Sequence, residues 1–180
     1  MALRSTVFKA DLNLLDYDHD NFTQYSLTLA QHPSETEERL MIRLLAYVLY
    51  ADERLQFGKG LSAEDEPSLF LNHDHGEIDL WIDVGLPDEK RLRKAASRSD
   101  RVVLLAYGAR GSLQAWWDKT ASACRKLDKL TVWQLPPEAC DALPSLVERT
   151  MRLQCTIQDG AVELSNDAGT VVSIKPERLQ

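Results

Sequence analysis

Apolar and polar positions alternate along the first thirty residues. The pattern is partial over residues 3–14, where Leu3, Ser5, Val7 and Lys9 oppose Arg4, Thr6 and Phe8. It is cleaner over 22–30, with Tyr25, Leu27 and Leu29 against Gln24, Ser26 and Thr28. A period of two belongs to strands, and the acidic, turn-rich segment 16–21 between them completes a β-hairpin. The carboxylates at 16, 18 and 20 resemble the opening of a calcium loop. The glycine and the closing bidentate Glu of such a loop are missing, so the segment is read as a hairpin tip. The period then changes to that of a helix. Leu40, Met41, Leu44, Leu45, Val48 and Leu49 form a wide apolar stripe, which predicts a helix over 35–52 entered through the capping box Ser34-x-x-Glu37. Glu38 lies at the boundary of that stripe, and Arg39 and Arg43 fall on another face.

Residues 53–60 predict a short strand. Residues 62–67 predict a loop or a helix entry, with Pro67 suited to a first helical position, and 68–72 fit either a strand or a helical turn. His73, Asp74 and His75 offer ligand chemistry but are read as a connecting loop. The segment 76–85 (GEIDLWIDVG) predicts a strand with Ile78, Leu80, Ile82 and Val84 on one face and Asp79, Trp81 and Asp83 on the other. It runs into a helix opened by Pro87 and carrying Lys90, Arg91, Arg93 and Lys94. Residues 102–107 (VVLLAY), apolar on both faces, predict a covered strand. A turn at 108–111, a helix capped by Ser112 with Leu113, Trp116, Trp117 and Ala121 buried, and a strand at 130–135 follow. A helical segment then runs from Pro136 to about 149, interrupted at Pro144. Strands at 151–158 and 161–165 meet at Asp159-Gly160, a hairpin turn, and a last strand covers 170–174. The fold class is therefore α/β (α+β): a mixed β-sheet with flanking helices and antiparallel hairpins at both chain ends. Those terminal β-regions are expected to pair, because unpaired edges are a liability.

One acidic strand face leading into a basic helix is where metal-dependent phosphodiester chemistry would sit. Composition narrows the setting. At 180 residues, 44% apolar and 27% charged, the chain fits one globular domain over 1–180. Three widely spaced cysteines without a C-x-x-C pair fit a reducing cytoplasm. No stretch is apolar enough to span a membrane, so a cytoplasmic, soluble protein is expected, and a monomer. A net charge of −7 gives no global attraction to nucleic acid. Any such binding must come from a local patch, the helix with six basic residues between 90 and 101.

Several long blocks carry a family resemblance: HPSETEER (32–39), YADERLQF (50–57), DEP (65–67), IDLWIDVGLPDE (78–89) and RTMRLQCTIQDG (149–160). They resemble the bacterial YaeQ family along essentially the whole chain. The resemblance implies a variation on the PD-(D/E)XK, restriction-endonuclease-like fold and a magnesium-dependent site, with Mn2+ as the usual substitute; it implies no established activity. That superfamily uses a helix Glu, a strand Asp and a (D/E)-x-K triplet. Glu38 matches the helix carboxylate and Asp83 the second acid, but the triplet ends in Gly85 rather than lysine. A lysine would have to reach in from the helix, as Lys94 or Lys90. Asp79 is the other carboxylate on the strand, yet four residues span about 13 Å and a magnesium ligand sits at about 2.1 Å. Asp79 and Asp83 therefore share one ion only if the strand is bulged, and Asp65 and Asp74 are held in reserve as ligands. In the catalytic reading Arg91 and Arg93 position the nucleic-acid backbone. The alternative is a non-catalytic nucleic-acid- or protein-binding module on a degenerate nuclease scaffold.

Overall fold

The alternating segments at the two ends of the chain come together in one sheet. In the computed structural model, which describes residues 3–59 and 65–180, β1 (Thr6–Asp16) and β2 (Asn21–Gln31) form an antiparallel hairpin paired residue for residue. The C-terminal strands β8 (Thr150–Gln158), β9 (Ala161–Asn166) and β10 (Val171–Ile174) complete a five-stranded sheet in the order β10-β9-β8-β1-β2, with β1 and β8 parallel. The hairpin tips touch: both oxygens of the Asp18 carboxylate accept backbone N–H groups, from Asp159 and Gly160, at 2.8 Å.

The middle of the chain builds a second sheet of six strands. Its members are β3 (Gln56–Phe57), β4 (Leu69–Asn72), β5 (Ile78–Val84), β6 (Ser99–Ala106), β7 (Leu130–Gln134) and β11 (Glu177–Arg178), in the order β11-β7-β6-β5-β4-β3. Strands β5, β6 and β7 are parallel, while β4 and β11 run antiparallel to their neighbours. The expected strand at 53–60 is β3, although residues 60–64 lie outside the described residues. Pro67 leads into a strand rather than a helix.

Helix α1 (Glu37–Leu49) explains how the sheets are joined. Its residues from 40 to 48 are all buried, as for a helix covered on every side. One continuous core includes the inner face of the five-stranded sheet, α1, and Leu80, Ile82, Val84, Val103 and Leu105 of the second sheet. Helix α4 (Pro137–Ala142) and the 3-10 turn Leu143–Leu146 close its flank. On the far side of the second sheet, α2 (Glu89–Arg98) and α3 (Ser112–Cys124) pack over Trp81, Val102, Leu104 and Val132 in a separate cluster. The layers therefore run sheet, helix, sheet, helices. Among the described residues no helix is long and apolar enough to cross a membrane.

Three local expectations are corrected. The cap of α1 is Thr36, whose hydroxyl accepts from the Arg39 N–H at 3.1 Å; Ser34 lies outside the helix. Gly111, at φ +87°, precedes α3 without a side-chain cap, and Ser112 is already helical. Arg43 is not on an outer face but 1% exposed inside the core.

Candidate functional site

The strand β5 does not alternate throughout. Leu71 pairs with Leu80, but Asn72 pairs with Ile78, so β5 carries an extra residue at Asp79. Such a bulge reverses the facing of everything on one side of it. Ile78 packs with the α2–α3 cluster while Leu80, Ile82 and Val84 pack with the α1 core. Asp79 turns to the α1 side, where its two oxygens accept from Arg101 Nε and Nη2 at 3.1 and 3.0 Å. Asp83 faces α2. The two carboxylates expected on one face thus lie on opposite faces, because the bulge shifts the register between them.

Asp83 is closed in. Its side chain is 2% exposed and accepts from Arg91 Nε at 2.7 Å, Arg91 Nη2 at 2.9 Å and the Ser68 N–H at 3.2 Å. Arg91 also donates to the Glu66 carbonyl at 2.7 Å, and its guanidinium lies 5.8 Å from the Trp81 ring centroid. The first turn of α2 holds Arg91 there, with Asp88 capping the helix through the Arg91 N–H. One turn on, Lys94 is paired with Asp65. Asp65, Asp88, Lys90, Arg91 and Lys94 line one open cavity of about 440 Å3. The fold therefore gathers Asp83, Asp65, Lys90, Arg91 and Lys94, at the carboxyl end of a parallel strand where open α/β sheets place ligand sites.

The other candidates lie elsewhere. Glu38 sits half-buried on α1, and burial, with the nearby Asp141 charge as the smaller cause, raises its carboxyl above the ordinary range. Its neighbourhood is largely apolar, with Arg39 beside Tyr107 as the nearby cation: burial pushes Tyr107 and Cys140 up to about 12. Asp79 is held below its ordinary range by Arg101. It groups with His73 and Asp100, their potential ligand atoms within 4.8 Å of one another, but both Asp79 oxygens already serve Arg101. Asp74 stays in the exposed turn between β4 and β5. Arg93 is exposed and paired with Glu89. The paired tryptophans pack against the α2–α3 cluster, Trp116 donating to the Pro87 carbonyl at 2.7 Å.

Sequence reasoning missed the residue that anchors this region from behind. Glu35 is buried and accepts from Arg39 Nη1, Arg43 Nε and Arg43 Nη2 at 2.7 to 2.8 Å. Arg39 also donates to Ser68 Oγ at 3.3 Å, so a polar chain runs Glu35–Arg39–Ser68–Asp83–Arg91. The signal was present: an acid and two arginines at 35, 39 and 43 recur at helical spacing, and Arg43 interrupts an otherwise apolar run from 40 to 49.

A divalent metal needs carboxylate oxygens that converge and are free to bind it. Here the Asp83 oxygens hold a guanidinium, Asp79 faces the other side of the sheet, Glu38 belongs to the α1–α4 contact, and Lys94 is engaged with Asp65. These residues do not fit the magnesium centre that the resemblance implied.

A family model described as YaeQ protein matches residues 1–175. Similar sequences include "Uncharacterized protein YaeQ" of Salmonella typhi, 52% identical over 166 residues, covering 92% of this chain and 91% of that protein. The protein of the same name from Escherichia coli K12 is 50% identical over 167 residues, covering 93% and 92%. Among solved structures, the crystal structure of YaeQ protein from Xanthomonas axonopodis pv. citri superposes with a TM-score of 0.93 at 47% identity, covering 98% of each chain. That of YaeQ protein from Pseudomonas syringae gives 0.92 at 36% identity, covering 98% and 96%.

Proposed function

The chain belongs to the YaeQ family, and from that premise we propose that it is a non-catalytic nucleic-acid-binding module on a degenerate nuclease scaffold, binding through the α2–α3 layer. The observation that carries this reading is a segregation of charge. Residues 88–129, apart from Arg101 on the α1 side, hold ten lysines and arginines against five acids, while the remainder, Arg101 included, holds eleven against twenty-three. A protein with net charge −7 thus presents one local excess of positive charge, the footprint expected of a phosphate-binding surface. Lys90, Arg98, Lys119, Arg125 and Lys126 are exposed, and both helices cover the same face of the six-stranded sheet. The acidic remainder opposes non-specific wrapping and orients the chain on a polyanion.

The closure of Asp83 by Arg91 supports the absence of metal chemistry from this reading: the guanidinium takes the charge-neutralising place that the nuclease pattern gives to a metal and a lysine. The test is fluorescence anisotropy with labelled single-stranded and duplex oligonucleotides over a salt series, on wild type and the K90E/R98E/K126E variant. Each lost phosphate contact should reduce the log–log salt slope by about 0.9 on duplex and about 0.7 on single strands. No binding at low salt, or binding unchanged in the variant, defeats the proposed surface. Manganese-dependent cleavage by wild type that is abolished in D83N defeats the non-catalytic reading and restores a magnesium-dependent phosphodiesterase.

A further inference from the structure

The four sheet edges formed by the described residues are not alike. Three are guarded by brevity: β10 has four residues, and β3 and β11 have two each. The fourth is β2, an eleven-residue strand at the edge of its sheet. A long edge is normally protected by lysine, proline, a bulge or a covering element. Strand β2 contains no charged residue and no proline from 21 to 31, and its pairing with β1 has no register shift. Among the described residues no element pairs with its outer side.

We propose that β2 is a homodimer edge, on which a second copy of this chain pairs its own β2 antiparallel about a two-fold axis at Ser26. The polarity of the strand selects that occupant. With the axis at Ser26, Ser26 meets its own copy, Gln24 meets Thr28, and Asn21 meets Gln31, polar against polar. Phe22 meets Ala30 and Tyr25 meets Leu27, apolar against apolar; Thr23 against Leu29 is the one mismatch. A strand without charge brings no like charges face to face, which matters where two chains of net charge −7 must approach. A two-fold contact uses the same patch twice and closes on itself. The exposed Phe22, at 53%, and the half-buried Leu27 both gain cover. Eleven paired residues extend for about 37 Å and, less one bond at each end, supply on the order of eight backbone hydrogen bonds, within the range of a typical stable interface. At the strand's end the Ala30 carbonyl already accepts from Arg43 Nη2 at 2.9 Å, so the ladder rests on the middle of the strand. Two five-stranded sheets then become one of ten.

The test is sedimentation velocity of the full chain together with oxidative cross-linking of two exposed-site variants, S26C and A30C. Wild type should sediment at twice 20.4 kDa in the micromolar to submillimolar range. The native cysteines are buried, so each variant adds the accessible thiol. Opposed Cβ atoms across an antiparallel pair lie about 4.5–5.5 Å apart, so S26C should give a disulfide-linked dimer with copper–phenanthroline and oxygen as oxidant. In this register Ala30 lies about 27 Å from the partner's Ala30, and A30C should remain uncross-linked. Unchanged circular dichroism confirms that both variants fold. A monomeric wild type, as an extended segment of another protein would leave it, overturns the proposal. So does A30C cross-linking as readily as S26C.

Discussion

If Arg91 is a structural counterion rather than a positioning group for substrate, then Arg91→Met should unfold the protein more easily by a calculable amount. Asp83 is 2% exposed and Arg91 27% exposed on their side chains. Removing the arginine leaves a buried carboxylate with only the Ser68 N–H, and stranding one member of a buried pair costs about 3–5 kcal/mol. The reverse truncation is milder. Asp83→Asn leaves a guanidinium with some solvent and its bond to the Glu66 carbonyl, a loss of about 1–3 kcal/mol. Replacing both, as D83L/R91M, should bring stability back close to wild type, since apolar replacement of a whole buried pair is often neutral. Urea unfolding followed by tryptophan fluorescence measures all three, because Trp81 lies beneath the Arg91 guanidinium. The expected order of stability is wild type and double variant first, then D83N, then R91M. A cost for R91M below about 1 kcal/mol, the range of an exposed pair, would refute the reasoning. It would mean that Asp83 is available to another cation.

Three further outcomes follow from single positions. Gly85 has φ +109°, and no neighbouring atom lies within 4 Å of where a Cβ would stand. Gly85→Lys should therefore cost about 1–3 kcal/mol in backbone strain alone by urea unfolding; an unchanged midpoint contradicts this. Glu38 is raised in the fold above its ordinary 4.5 by burial and then Asp141, so the native state holds that proton more tightly and loses stability as pH rises through the raised value. Glu38→Gln should therefore stabilise at pH 7 and change little at pH 4, and equal midpoint shifts at both would refute it. Asp18 is held below its ordinary 3.8 by the Gly160 and Asp159 N–H groups. The clasp between hairpin tips is thus present above that value and lost as pH falls through the lowered one. Asp18→Ala should speed amide exchange at 159 and 160, and unaltered exchange at neutral pH would dismiss the clasp.

Most of the architecture was legible because period-two and period-3.6 patterns are local. Both terminal hairpins, the covered strand β6 and the helices before and after it follow from them, and the expected pairing of the chain ends appears as β1 beside β8. What the patterns did not carry was arrangement. Helix α1 looks one-sided in sequence because Arg43 interrupts its apolar run, yet that arginine is neutralised by Glu35 and buried with the rest, which lets α1 lie between two sheets. Strand β11 was missed because its two residues, Glu177 and Arg178, are exposed and carry no hydrophobic signal. It is held instead by the tail beyond it, where Gln180 Nε2 donates to the Cys124 carbonyl at 2.6 Å.

The site was less legible because its two decisive features are changes of direction. Alternation assumed through Asp79 places it beside Asp83, and one inserted residue sends it to the other face. Gly85 is the second. On the nuclease reading of the scaffold, the third residue of the triplet continues the strand and delivers a lysine from it. Here that residue turns at positive φ, tied by its N–H to the Leu105 carbonyl at 3.0 Å, and the chain enters α2 within four residues. The early turn swings the first helical turn back over the end of β5, and the cation that reaches Asp83 comes from the helix as Arg91. A lysine ammonium is a point charge that can share a carboxylate with a metal, whereas a guanidinium binding both oxygens leaves little room for one. The turn at Gly85 and the closed carboxylate are therefore one structural event: the positive φ of the glycine brings the first turn of α2, and with it Arg91, over Asp83.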